Sequence, residues 1–220
     1  MENRPVISIV SRYFLPGQEG KHNEYYEKWF FEAYVPFLSE SAGLRAAERY
    51  RIVKENPDYP KYMQIWYFNN LKEHQMFEKS EEFQAILSAM DANFPGTDFR
   101  WWVQYWVVNS WQSDRLAQSQ EAKDGGVIHI EASQEHLDDE KNFPMLINTE
   151  EARRIDRCRI VKENPKYPSF LFIFRFQTIE MFEDWEKNRK AATVKSDYAD
   201  TSIKSPSWYI QYQLTRSWRK

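Results

Sequence analysis

Arg49-Tyr-Arg-Ile-Val-Lys-Glu-Asn-Pro-Asp-Tyr-Pro60 occurs twice in this chain. It returns as Arg157-Cys-Arg-Ile-Val-Lys-Glu-Asn-Pro-Lys-Tyr-Pro168, with ten of twelve positions identical at a shift of 108 residues. A self-match this dense marks the same point in a repeated unit, so it sets the architecture before any local reading. Its first half, Glu48 to Lys54, alternates as a strand, and Asn56-Pro-Asp-Tyr-Pro60 reads as a turn with proline-set geometry. Tyr62 to Phe68 follows as a second strand, so the two are expected to pair as a hairpin. Ser169 to Phe176 is its copy.

Outward from the hairpin the unit completes itself. Val6 to Tyr13 is β-branched and strand-like, and Lys21 to Leu38 carries Tyr26, Phe30, Ala33 and Phe37 at helical spacing. Pro36 is expected to kink or stop that helix. Asn69 or Asn70 caps a second helix, with a break at Ser80, which caps Glu81-Glu-Phe83 in turn. Trp101 to Val108 is the last strand. The second copy runs from Val127-Ile-His-Ile-Glu131, with Ser133 capping a shorter first helix, through Ile179 to Lys190, to Trp208–Trp218. The expected order in each copy is β-α-β-β-α-β, the ferredoxin-like order, so the fold class is α+β. The units are expected at 1–111 and 127–220, joined by a polar linker, 112–126.

The 220 residues carry a net charge of −3 with both signs intermixed, and no basic stripe of the kind a phosphate backbone needs. Nucleic acid is therefore not an expected partner. No apolar run reaches the length of a membrane span, and the N-terminus has no signal-peptide pattern. The single cysteine, Cys158, excludes an internal disulfide and fits a reducing cytoplasm. It stands where the first copy has Tyr50, as a packed strand residue would. Aromatic residues make up 17% of the chain, more than two ordinary cores of this size require, which suits an apolar ligand pocket.

Two such units, with Tyr25-Tyr-Glu-Lys-Trp-Phe-Phe-Glu-Ala-Tyr-Val-Pro36 on the first helix and Glu78-Lys-Ser-Glu-Glu-Phe-Gln-Ala85 on the second, resemble the dimeric α/β barrel superfamily fused into one polypeptide. The first pattern is similar to that of EthD- and NIPSNAP-type members, which usually carry a His two residues before the Pro. Tyr34 and Asn142 stand at those places, so no role of that His carries over. The resemblance implies two sheets packed face to face with a cavity between them, on a single-chain pseudo-dimer or a higher homo-oligomer. Members use that cavity for cofactor-free oxygenation, isomerisation or haem binding, so the likeness implies a place and not a reaction.

Alternation divides each strand into two faces. Ile7, Ile9, Ile128 and Ile130, with Met63, Ile65, Leu171 and Ile173, form the purely aliphatic face and are assigned to the helices. The opposite face carries Gln64, Trp66, Trp102, Gln104, Phe172, Phe174, Tyr209 and Gln211, and is assigned to the cavity as the substrate-binding surface. On the first strands it carries Ser8 and Val10 in one copy, but His129 and Glu131 in the other. An imidazole changes charge near neutral pH, and a carboxylate on the same face can orient it, so His129 is the candidate base and Glu131 its partner. The same pair also reads as a buried histidine satisfied by its neighbours.

Arg49, Arg51, Arg157 and Arg159 read either as anchors for an acidic group or as ion pairs. His22, His74 and His136 read as solvated helix residues. No metal-ligand spacing, phosphate loop or nucleophile elbow is present. The expected function is binding of a small apolar or aromatic molecule, with cofactor-independent oxygenase or isomerase chemistry. A non-catalytic binding or interaction module is the alternative. Haem binding is the third, with His129 or a tyrosine as axial ligand; no other cofactor is expected.

Overall fold

The computed structural model describes residues 3–14, 28–54, 59–94, 97–112, 126–133, 152–195 and 208–219. The strands are β1 (Val6–Phe14), β2 (Leu44–Ile52), β3 (Tyr62–Phe68), β4 (Thr97–Gln112), β5 (Val127–Ser133), β6 (Arg154–Ile160), β7 (Phe170–Phe176) and β8 (Trp208–Arg219). The helices are α1 (Val35–Glu40), α2 (Leu71–Glu78), α3 (Glu81–Asn93) and α4 (Ile179–Lys195). In hydrogen-bonded order the strands run β1-β3-β2-β8-β5-β7-β6-β4 and close into a barrel. The expected linker and the helix expected after Ser133 lie outside the described residues.

Two compact units make up the chain: Met1–Trp106 with Thr215–Lys220, and Val107–Leu214. The division falls inside β4 and inside β8. In the first unit the order is β1, α1, β2, β3, α2 with α3, β4. The second shows β5, β6, β7, α4 and β8.

Local sequence explains most element ends. Asn70 caps α2, its side chain accepting from the Glu73 N–H at 2.9 Å, and Ser80 Oγ accepts from the Phe83 N–H at 3.1 Å to start α3. Gly43, at φ +81°, turns the chain from α1 into β2, in the region that only glycine enters without strain. Pro36 does not stop its helix. A π-helical turn, Phe30–Tyr34, precedes it, and Pro36 sits in the first turn of α1. Proline cannot donate to the carbonyl four residues back, and widening the preceding turn absorbs that missing bond within a continuous helix.

The pairing registers of the two units correspond. In the first, Trp102–Val10–Gln64–Arg49 and Gln104–Ser8–Trp66–Ala47 form transverse rows across β4, β1, β3 and β2. In the second, Tyr209–Glu131–Phe172–Arg157 and Gln211–His129–Phe174–Ile155 run across β8, β5, β7 and β6. Between the units the matched positions are offset by 108 residues on the hairpin strands, by 121 from β1 to β5 and by 107 from β4 to β8.

The assignment of faces, however, is reversed. Val6, Val10, Trp66 and Phe68 pack with Phe30, Tyr34, Leu38, Phe77, Phe83 and Met90, so the aromatic face of the first sheet meets the helices. Phe172, Phe174 and Phe176 likewise pack with Phe182 and Trp185 of α4. The aliphatic residues Ile7, Ile9, Met63, Ile65, Ile128, Ile130, Leu171 and Ile173 are buried on the other face. An eight-stranded barrel has an interior just wide enough for side chains to fill, which suits short aliphatic groups, while a layer between sheet and helix accommodates rings.

His74 is a second correction. It is 1% exposed, wedged edge-on against Phe68 at 4.8 Å, with Nε2 3.4 Å from Glu78 Oε1. Burial lowers its pKa from 6.5 to about 4, so it is neutral at pH 7. Phe182 is its counterpart, packed edge-on against Phe176 at 5.4 Å. Because the unfolded chain takes up a proton that folded His74 refuses, stability falls as pH drops from 6.5 towards 4. His74→Phe removes this penalty: relative to the wild type, the variant is expected to gain about 2 kcal/mol more at pH 5 than at pH 7.5. Urea denaturation at the two pH values measures the difference.

Candidate functional site

The second unit brings the predicted pair together. His129 and Glu131 lie two residues apart on β5, so pleating points both side chains to one face. Both are buried, and His129 Nε2 lies 2.9 Å from Glu131 Oε1. On the other side of the ring, Gln211 Nε2 lies 3.4 Å from His129 Nδ1, reached across the β5–β8 register. An amide nitrogen only donates, so Nδ1 is the acceptor and Nε2 carries the hydrogen that Glu131 receives. Phe182 stacks on the imidazole at 5.5 Å and 27°, with Trp185 at 5.3 Å and Phe174 at 5.9 Å. The ring is thus held in one tautomer and one plane, with its basic nitrogen directed at an amide. This is the arrangement of a base oriented by a carboxylate.

Phe172 and Tyr209 share the transverse row of Glu131, and Phe174 and Gln211 share that of His129. Of the remaining predicted residues, Gln64, Trp66, Trp102 and Gln104 belong to the first unit, on the corresponding face of its sheet. There the positions of His129 and Glu131 are Ser8 and Val10, and aromatic packing takes up the layer. Trp66 donates to Gln64 Oε1 at 2.9 Å and packs edge-on against Phe77 and Phe83. Trp102 donates to Glu78 Oε1 at 3.1 Å and meets Phe83 edge-on. Burial raises the Glu78 pKa, and the Trp102 hydrogen bond opposes that rise.

Other polar groups lie on the aliphatic side. Glu48 accepts hydrogen bonds from Tyr50 at 2.7 Å and from Tyr67. Its counterpart Asp156 is held by Arg154 at 2.8 Å, by Arg175 and by Ser110. Those two arginines and that hydroxyl outweigh burial and keep the Asp156 pKa below its ordinary value. Burial, first, and the Asp156 charge push the Cys158 thiol well upward, which makes it an inert packing residue.

The Arg49 guanidinium lies over the Phe30 ring at 4.1 Å and the Tyr62 ring at 4.5 Å. The i, i+3 spacing of His74 and Phe77 was the available signal that His74 faces inward.

Among the described residues, no three His, Cys, Asp or Glu side chains gather as metal ligands, and no helix is long and apolar enough to cross a membrane. Haem iron needs a ring nitrogen free to bind it. With Nε2 on Glu131, Nδ1 facing Gln211 and Phe182 stacked on the ring, His129 does not fit that role in this arrangement.

The fold is that of a dimeric α/β barrel. Among solved structures it is similar to an anthrone oxidase-like protein at 13% identity and TM-score 0.59, covering 99% of this chain and 94% of that one. A candidate chlorite dismutase gives 12% identity and TM-score 0.62, covering 97% and 96%. A candidate monooxygenase of Fusobacterium nucleatum subsp. nucleatum gives 9% identity and TM-score 0.58, covering 100% and 96%. At such identities the likeness is one of fold. No family model and no curated protein matches the chain.

The hydrogen-bond network predicts that ¹⁵N-histidine NMR finds His129 as the Nε2–H tautomer, with an unprotonated Nδ1 resonance. Glu131→Ala is expected to release that preference. A wild-type ring protonated on Nδ1 alone contradicts the arrangement.

Proposed function

We propose that the chain is a tandem pair of ferredoxin-like units whose second unit binds a small aromatic or apolar molecule and removes a proton from it. His129 is the base and acts through Nδ1. Glu131 holds Nε2–H and stabilises the imidazolium that forms. The 2.9 Å contact between these two buried groups carries the reading. Gln211, the present neighbour of Nδ1, turns its amide N–H toward the oxygen on which charge develops. Phe172 and Phe174 supply the apolar flank.

The substrate that suits such a site is a carbon acid beside a carbonyl. Its C–H proton passes to Nδ1, and the bonding pair is delocalised onto the carbonyl oxygen. Returning the proton to another carbon is an isomerisation. Reaction of the carbanion with molecular oxygen, the co-reactant, is a cofactor-independent oxygenation. The names of the structural neighbours support the second course, with anthrone as a probe: anthrone and O₂ give anthraquinone and water. Binding without chemistry is the second reading, favoured by the aromatic packing around the imidazole.

Oxygen uptake with anthrone separates them. His129→Ala is expected to lose about 10²–10⁴-fold in rate, the usual contribution of a positioned base, while still binding anthraquinone. Undiminished uptake by His129→Ala overturns the base assignment. Binding of anthraquinone without any uptake by the wild type supports the second reading.

A further inference from the structure

Among the described residues of the first unit, two buried donors without a hydrogen-bond partner stand close together on one face of its sheet. Ser8 is fully buried and its Oγ has no hydrogen-bond partner in the protein; the same holds for Trp106 Nε1. They lie on the helix-facing side of adjacent strands. Ser8 pairs with Gln104, and Trp106 pairs with Val6, two residues before Ser8. Ser8 and Trp106 are therefore diagonal neighbours, about 7 Å apart at the backbone, a gap within reach of an indole. The surrounding groups are mostly apolar: Val6, Phe68 and Phe77 belong to the same cluster, and Trp106 packs against it. The polar exception is His74, edge-on against Phe68, whose buried Nε2 also has no hydrogen-bond partner.

Leaving a buried hydroxyl or N–H without a partner costs about 1–3 kcal/mol each. The fold itself does not demand these donors. At the corresponding places the second unit has His129, bonded to Glu131 and Gln211, and Gln213, which is exposed. An indole only donates and a hydroxyl can donate, so the group that satisfies both is an oxygen with two lone pairs. Gln104, opposite Ser8 and half-buried, offers an amide beside them. Water meets this requirement as well, but the apolar flank favours an oxygen carried on an aromatic frame.

We propose that the first unit has its own binding site, in which Ser8 and Trp106 donate to the carbonyl oxygen of a small aromatic ketone. Ser8 stands at the place of His129, and His74, the imidazole that α2 brings to this layer, is a weak base whose pKa burial lowers to about 4, so the ketone is held and not deprotonated. This site stands apart from the chemistry assigned to His129 and survives the failure of that assignment.

The test is NMR of the full chain, ¹⁵N-labelled at its indoles, titrated with 9-fluorenone, a flat ketone with no acidic C–H next to its carbonyl. The Trp106 indole resonance, identified by its loss in Trp106→Phe, is expected to shift in a saturable way. Ser8→Ala, checked for retained peak dispersion, is expected to weaken binding about tenfold by the same resonance, the loss of about one hydrogen bond. His129→Ala is expected to leave the titration unchanged. A Trp106 resonance that does not move, or a Kd that Ser8→Ala does not alter, overturns the proposal. So does a crystal structure grown with fluorenone in which a water alone bridges the two donors.

Discussion

The strands of this protein are covered on both faces, and the division of labour between those faces governs everything else. Because successive side chains alternate, a one-residue slip in any strand would exchange its rings for its aliphatic groups. The rows Gln104–Ser8–Trp66–Ala47 and Gln211–His129–Phe174–Ile155 show the same register held in both units. Trp66, Phe77 and Phe83 interlock in one layer, and Phe174, Phe182 and Trp185 in the other. Within these layers a polar side chain has few ways to be satisfied, so each one present has structural or chemical consequences.

Both units place an imidazole in the layer between sheet and helix, but from opposite sides. In the first it comes from the helix, as His74, edge-on against Phe68 of the sheet. In the second it comes from the sheet, as His129, under a helix position occupied by Phe182. The difference in partners is chemical. His74 lies 3.4 Å from a half-exposed carboxylate and is kept neutral by burial. His129 has a buried carboxylate at 2.9 Å on one nitrogen and an amide facing the other. The latter arrangement leaves a basic nitrogen oriented by a fixed acceptor, while the former is principally packing.

Much of this was legible in the residues. The repeat containing Arg49 and Arg157 revealed the two units, and matching Val6–Val10 to Val127–Glu131 then exposed the exchange of Ser8 for His129. Asn70 and Ser80 announced their helices because capping is local chemistry. The facing of the sheets was not legible: Ile7 and Ile9 are no less apolar than Val6 and Val10, so hydropathy cannot say which row meets a helix. Ring size against barrel width decides that, and it is a tertiary constraint. The π-turn before Pro36 and the inward course of His74 escaped for a similar reason, since each depends on what packs against the helix. Gln211 was legible as polar on a buried face, but its contact with Nδ1 needed the β5–β8 register.

Under the proposed function, the helix-facing side of the second unit, at His129 Nδ1, is where a small molecule is handled. A crystal structure of the whole chain with bound anthraquinone tests this most directly. Density is expected beside Nδ1, with a ring carbon or carbonyl about 3–3.5 Å away, Gln211 turned toward the carbonyl, and Glu131 still on Nε2. Anthraquinone seated instead against Ile128 and Ile130 on the opposite face, with the His129–Gln211 contact undisturbed, would contradict it.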